Sequence, residues 1–372
     1  MNAKDVLKTI GTIDNWGIPC IDDNVNFWMI RSKAGFFYDE FVKGKYVALA
    51  WNHINQETVI NADTTEILKD EIKERYGISS PTQAINKCKR FIYEMKEGDY
   101  VVVPGEKTKR IAICKVGAYF EEGKYDYKDE LTVIHKIDNK EAEIKEIECP
   151  FIKRRRIEVL AEVDVARVNY KFLRALSSYH GLNSLNEYAS DILSSVYHCF
   201  IYNEDMYCTV NVAKNEPIGI LEMADLMHYS GRILAHVIDE EDISTAVNLN
   251  SPGKILIRMK KIFNKVKNSA GFFLFVYIVV TGGTFGPIQL PGAVETVQKI
   301  LTFNQSIEKE QLDVEKQEIE IDREVLKLIQ ELKEQDIQSE DIIEDIKELD
   351  KLREKMKFQS NEEFARDVDS KE

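Results

Sequence analysis

The densest run of chemistry-bearing side chains in this sequence is Lys153-Arg154-Arg155-Arg156. On a β-strand, alternation sends Arg154 and Arg156 to one face and Lys153 and Arg155 to the other, which places one pair to grip nucleic-acid phosphates. The rival reading is a basic edge strand that pairs with neighbouring glutamates or guards a sheet edge. A restriction-type nuclease needs an acid and an Asp/Glu-x-Lys strand, so that two carboxylates hold Mg²⁺ while a lysine stabilises the attacking water or the phosphate charge. Asp138 with Glu143-Ile144-Lys145 fits the letters. The stretch Asp138 to Glu148, however, alternates Glu and Lys with little sheet-core character, and no catalytic residue is expected there. The histidines, His53, His135, His180, His198, His228 and His236, are dispersed without the spacing of a zinc hydrolase or zinc deaminase. His198 and Cys199 are neighbours, and read as a core pair in preference to a metal pair. Gly282-Gly283 and Gly286 lack the Lys-Ser/Thr of a phosphate-binding loop. Neither a metal nor a cofactor is expected.

The charge balance narrows the partners. Fifty Lys+Arg against 64 Asp+Glu leave a net charge of -14, so any contact with nucleic acid must be local and not a general positive field. From Ser306 to Glu372 there are 23 acidic and 12 basic residues, which puts most of the excess in the tail. Six cysteines (Cys20, Cys88, Cys114, Cys149, Cys199, Cys208) form no CxxC pair, which suits a reducing cytosol. The first residues, MNAKDVLKTIGTIDNWG, lack the apolar run of a secretory signal. A cytoplasmic protein is expected.

The elements that must position these residues follow from periodicity. Phe27 to Arg31 and Tyr46 to Trp51 read as strands around a helical segment, Phe36 to Val42. Helices are expected over Thr65–Tyr76 and over Pro81–Met95, the second opened by Ser80-Pro81 and stopped before Gly98. Asp99–Pro104 and Arg110–Tyr119 form a hairpin pattern, and further strands are expected around Leu131–Ile137 and Arg156–Val165. Helical spacing then covers Tyr170–Leu182 and Leu185–Tyr197. Tyr207–Val212 reads as a strand, Pro217–Val237 as a helix, and Ile243–Ile257 as two strands turned at Ser251-Pro252-Gly253.

Asn268 to Val294 is a run of 27 uncharged residues, with its apolar density in Ala270 to Val280. A membrane-spanning helix needs about 20 apolar residues, and Thr281-Gly282-Gly283-Thr284 interrupts this one, so a buried helix is the preferred reading. Lys260, Lys261, Lys265 and Lys267 precede it, and the alternative is a segment that inserts into a membrane on activation. In the tail, Leu312, Ile319 and Leu326 fall seven apart, and Ile342, Ile346, Leu349, Leu352 and Met356 keep one stripe. A coiled coil or helical hairpin is expected, packed on copies of itself or on the middle domain.

One stretch carries a family resemblance. Trp28-Met29-Ile30-Arg31, then Gly35, Phe41, Gly44, the strand Val47-Ala48-Leu49-Ala50-Trp51, the helix ending at Met95, Gly98-Asp99-Tyr100-Val101-Val102 and the basic strand Lys153 to Ile157 resemble, in order and spacing, the amino-terminal domain of Mrr-like restriction proteins. That domain is itself similar to the PUA-like EVE and YTH base readers. Ala50 stands where a glycine before the tryptophan is common. The resemblance implies a pocket that takes one unstacked, often modified, base between aromatic walls. Its candidate walls are Trp28, Phe37, Trp51, Tyr100 and Phe120, and its candidate edge or phosphate contacts are Arg31, Asn52, His53 and Lys107, with Lys153, Arg154, Arg155 and Arg156 for the backbone.

The expected organisation is α+β: a lead (1–24), a PUA-like curled β-barrel reader (25–168), an α+β middle domain (169–305) and an acidic helical tail (306–372). The expected function is non-catalytic sensing of nucleic acid by a homo-oligomer in bacterial anti-phage defence. The alternatives are a membrane-acting effector that uses 268–294, or a Mg²⁺-dependent nuclease.

Overall fold

The computed structural model describes residues 18–59, 65–123, 126–139, 147–177, 181–235, 238, 240–247, 253–260, 284–285, 288–289 and 340–359. Two compact units divide the chain, Asn24–Ile192 and a second formed by the residues on either side of it. Strand β1 (Cys20–Ile21) belongs to the second unit.

The first unit is built on a curled six-stranded sheet of β2 (Phe27–Ile30), β3 (Tyr46–Leu49), β4 (Tyr100–Pro104), β5 (Arg110–Glu121), β6 (Lys153–Asp164) and β7 (Leu182–Ser184), in the order β3-β6-β5-β4-β2-β7. The β2–β4 pair is parallel and the other pairs are antiparallel. The run Tyr100-Val101-Val102-Val103-Pro104 is apolar at every position because both faces of β4 are covered, and all five residues are buried. The long β5–β6 pair shifts register between Ile113 and Cys114 and again between Val116 and Tyr119. Such irregularities bend a strand and increase its twist, which gives the sheet its half-barrel curl. Gly117 lies within the second one, where an added Cβ would stand 3.1 Å from the Arg156 Cβ.

Helices α1 (Tyr38–Gly44), α2 (Gln56–Val59), α3 (Thr65–Tyr76) and α4 (Pro81–Lys89) follow the early strands, and α4 runs on as a wider π-helical turn, Arg90–Glu94. Together they span the two expected helices, Thr65–Tyr76 and Pro81–Met95. The core between helices and sheet is aromatic, with Phe37, Phe41 and Phe91 almost wholly enclosed.

Three expectations change here. Leu131–Ile137 is not a strand but the body of α5 (Tyr127–Asp138). Its Leu-Thr-Val-Ile run has β-type composition, but Asp126 caps the helix by accepting from the backbone N–H groups of Lys128 and Asp129. Glu130, Ile134 and Ile137, spaced four and three apart, then turn towards the core. The expected helix Tyr170–Leu182 stops at Leu176 as α6 (Tyr170–Leu176), since Leu182–Ser184 is taken by the sheet as β7. The expected helix Leu185–Tyr197 is reduced to a 3-10 turn, Asn186–Tyr188, and α7 (Ala189–Ser194).

In the second unit, β8 (Cys199–Tyr202), β9 (Asp205–Val212), β10 (Ile243–Val247) and β11 (Gly253–Met259) join β1 in the order β1-β8-β9-β11-β10. The β10–β11 pair is antiparallel, as expected for this stretch; Ser251 and Pro252 lie outside the described residues, and Gly253 is the first residue of β11 and not part of a turn. Helix α8 (Ile220–Ala235) faces α9 (Glu340–Met356), whose Ile346, Leu349, Leu352 and Met356 are buried. The two helices are tied by Arg232–Asp345 at 3.1 Å and Lys355–Glu222 at 2.9 Å. The stripe on α9 is therefore spent within its own unit, and Phe358–Gln359 adds a short strand to β9. Thr284–Phe285 and Ile288–Gln289 form a small antiparallel pair. Most of the 268–294 stretch, and the heptad Leu312, Ile319 and Leu326, lie outside the described residues. Among the described residues no helix is long and apolar enough to cross a membrane.

Candidate binding site at the Trp51 turn

Strand β3 ends at Leu49, and two residues later Trp51 takes φ +67°. A bulky L-residue seldom occupies this left-handed region, and holding it there costs on the order of 1–3 kcal/mol unless the surroundings enforce it. Two buried ionic groups do so. The Glu130 carboxylate, from the first turn of α5, accepts the backbone N–H of Trp51 at 2.7 Å, that of Asn52 at 2.8 Å and the Tyr76 hydroxyl at 2.9 Å. The Lys153 ammonium, from the first residue of β6, donates to the Trp51 carbonyl at 2.6 Å. Both side chains belong to residues with 0% exposure. Burial pushes the Glu130 carboxyl above its ordinary value, against the opposing pull of the two backbone N–H groups, Lys153 and Tyr76. Burial likewise pushes Lys153 down, opposed by Cys88, Glu130 and Glu121.

The next two residues are equally constrained. Asn52 is buried, donating from Nδ2 to the Pro150 carbonyl at 2.8 Å and accepting the Ile152 N–H at 3.1 Å, which stitches the turn to the approach to β6. His53 stands between Arg75 and Glu71: Arg75 lies 2.7 Å from Nδ1 and the Glu71 carboxylate 2.6 Å from Nε2. Because a guanidinium only donates, Nδ1 accepts and the ring proton sits on Nε2, donating to Glu71. That hydrogen bond is the leading cause holding the Glu71 carboxyl below its ordinary value.

Outside this frame the surface is aromatic and cationic. The half-buried Trp51 ring has the Lys87 ammonium 5.8 Å from its centroid. Tyr127 carries Arg75 at 5.0 Å and Lys128 at 5.9 Å, and lies 6.2 Å from Tyr76 and 6.4 Å from His53, ring to ring. Ends of α3, α4 and α5 thus bring rings and cations together beside one strained turn. Such a surface is chemically suited to planar, anionic ligands.

The other expected pocket residues are placed elsewhere. Trp28 (5% exposed), Phe37 (1%) and Tyr100 (2%) are core residues and offer no open ring face. Trp28 donates its indole N–H to Asp99 at 2.8 Å, Phe37 packs on Phe36, Phe41 and Phe151, and Tyr100 stacks on Phe27. These rings were too apolar to leave wet: β2 and β4, which carry Trp28 and Tyr100, are buried at every position, and Phe37 enters the core directly ahead of α1. Arg31 donates to the Leu176 carbonyl at 2.5 Å. Lys107 is exposed in the β4–β5 turn, at the opposite end of β5 from Phe120.

The basic run alternates as expected, but only half of it faces outward. Lys153 and Arg155 are buried, so neither is a phosphate contact; Arg155 satisfies the carbonyls of Phe91, Ile92 and Gly117. Arg154 lies over the Tyr46 ring at 4.4 Å and donates to the Phe151 and Cys149 carbonyls. Arg156 is exposed and lies 4.3 Å above the half-buried Phe120 ring. Phe120 alternates with Tyr119, which meets Phe91 and Arg155 on the helix-covered side, so the Phe120 ring lies on the opposite face of β5 from Tyr119.

Sequence reasoning missed Glu130, Tyr76, Arg75, Lys87 and Tyr127. A lone buried carboxylate leaves no periodic trace; the available signal was Asp126 as a helix cap four residues ahead of it. Among the described residues no three His, Cys, Asp or Glu side chains converge as a metal site. The proposed nuclease acids Asp138 and Glu143 are divided between the end of α5, where Asp138 pairs with Lys33, and residues outside those described.

Comparison with known families matches residues 29–151 to a domain of unknown function, DUF8426. That span runs from the second half of β2 to the eve of β6 and includes the Trp51 turn and Glu130 but not Lys153. No curated protein and no solved structure matches the chain.

Proposed function

We propose that the Asn24–Ile192 unit is a PUA-like reader of nucleic acid, with Trp51 as its stacking wall. The observation that carries this reading is the left-handed Trp51, held by a buried carboxylate and a buried ammonium while its ring remains half-buried under Lys87. Strain maintained at such expense of buried charge is characteristic of ligand-binding turns. Stacking on an aromatic face is tolerant of base identity, and nearby cations hold the phosphates. Arg75 and Lys128 around Tyr127 supply cations beside the turn, and Arg156 on Phe120 supplies a separate exposed one. In a chain of net charge -14 such local clusters are where an anionic polymer would be received. In this reading the unit senses a feature of foreign nucleic acid in the bacterial cytoplasm, and the second unit and acidic tail assemble copies of the chain and carry the response.

Fluorescence anisotropy with labelled short single strands and duplexes, each with and without modified bases, tests the reading at fixed salt. Binding is expected to weaken about 5- to 150-fold on Trp51→Ala, the equivalent of losing about 1–3 kcal/mol of stacking. Absence of binding to every probe, or an unchanged affinity in the variant, removes the reading.

A further inference from the structure

Strands β8 and β9 form a hairpin turned by Asn203 and Glu204, both with left-handed φ (51° and 64°), the geometry of a two-residue primed turn. Counting from the Tyr202/Asp205 pair beside the turn, hydrogen-bonded and non-hydrogen-bonded pairs alternate, and Cys199 opposite Cys208 falls on a non-hydrogen-bonded pair. The hydrogen bond from the Thr209 N–H to the His198 carbonyl, 2.6 Å, marks the bonded pair next to it. Across such a pair the Cα atoms approach to about 4.5 Å, within the roughly 4.4–6.8 Å range that a disulfide spans. The two sulfur atoms lie 2.7 Å apart.

We infer that Cys199 and Cys208 are a disulfide-forming site, closed by exchange with a low-molecular-weight disulfide such as oxidised glutathione. One cysteine, as thiolate after releasing its proton to solvent, attacks a glutathione sulfur. The glutathione S–S bond breaks, and the departing thiolate takes up a proton. The second cysteine, likewise deprotonated, attacks the protein sulfur of the resulting mixed disulfide and expels the second glutathione. The hairpin is oxidised by two electrons, and one oxidised glutathione becomes two reduced ones. Both cysteines are buried, and burial raises the Cys208 thiol well above its ordinary value, so exchange proceeds when the hairpin opens and the finished bond is shielded when it closes. Strand β9 also pairs with β11 and with Phe358–Gln359, so the bond fixes the middle of this sheet.

The test uses the full chain, incubated with oxidised glutathione in buffer and in low urea, alkylated with iodoacetamide and cleaved after glutamate without reduction. Cleavage after Glu204 separates the Cys199 and Cys208 peptides unless sulfur joins them. The expected result is a joined pair, two hydrogens lighter than the sum and released by dithiothreitol. The oxidised chain should also unfold at about 1 M higher urea than the Cys199→Ser/Cys208→Ser chain. Alkylation of both cysteines after treatment in urea as well as in buffer overturns the inference, as does a bond from either one to the exposed Cys20 instead.

Discussion

Replacing Glu130 by Gln is the most searching perturbation of the Trp51 turn. The carboxylate serves three donors with no exposure to water. A glutamine of the same size offers one carbonyl oxygen and turns an N–H₂ towards the remaining donors, so at least one backbone N–H of the turn is orphaned, at about 1–3 kcal/mol. Lys153 also loses a buried counter-charge, and removing one member of a buried pair typically costs about 3–5 kcal/mol, a figure that already contains part of the orphaning penalty. The expected loss is therefore about 3–5 kcal/mol, or on the order of 10 °C in the melting of a unit this size. Urea unfolding followed by tryptophan fluorescence measures it, since all three tryptophans, Trp16, Trp28 and Trp51, precede residue 52 and two of them lie in this unit. Lys153→Met alone should be comparably costly. The double replacement should cost at least about 1 kcal/mol less than the sum, because burial penalises both charges and removing them together relieves both penalties. A loss below about 1 kcal/mol for Glu130→Gln, or strict additivity in the cycle, would refute the view that this pair enforces the turn.

Two further outcomes are expected. Trp51→Gly should be about 0.5–1 kcal/mol more stable than Trp51→Ala, since both lose the ring but only glycine accepts φ +67° freely; equal urea midpoints would mean that the turn relaxes when the ring is gone. In the second unit, Glu222 is held down to about 2 from its ordinary 4.5 by Lys214, Lys355 and the Gly219 N–H. A carboxyl with a depressed folded-state value contributes stability that is present above 4.5 and lost as pH falls towards 2. The gap in urea midpoint between the natural chain and Glu222→Gln should therefore be open at pH 6 and shrink steadily below pH 4.5; a gap that is constant with pH contradicts the assignment.

Much of the architecture is legible in the residues themselves. Tyr100-Val101-Val102-Val103-Pro104 announces a strand covered on both faces, and the hairpin to Arg110 follows from it. Helix α3 keeps its expected bounds, Thr65–Tyr76, because its apolar spacing and flanking polar residues agree. Where local signals conflict, the reading fails. Leu131-Thr132-Val133-Ile134 has the composition of a strand, but a cap at Asp126 and a core-facing stripe of buried Glu130 with half-buried Ile134 and Ile137 make it a helix. Cys199–Tyr202 is too short to show a period of its own, and becomes a strand through pairing with Cys20–Ile21 and Asp205–Val212.

The site divides along the same line. Alternation along Lys153–Arg156 was determined by the chain alone, because a strand's side chains point to opposite faces whatever surrounds it. Which face would be covered was decided by the helical segment Pro81–Glu94 settling over Lys153 and Arg155, so two cations expected at a phosphate became a clamp on Trp51 and a cap on the Phe91 and Ile92 carbonyls. The same holds for the rings. Five aromatic residues were equivalent as letters, but only the packing of distant segments buried Trp28, Phe37 and Tyr100 and left Trp51 and Phe120 half-buried. Local sequence dictates direction along the backbone, whereas exposure depends on what residues far away in the chain bring to the other side.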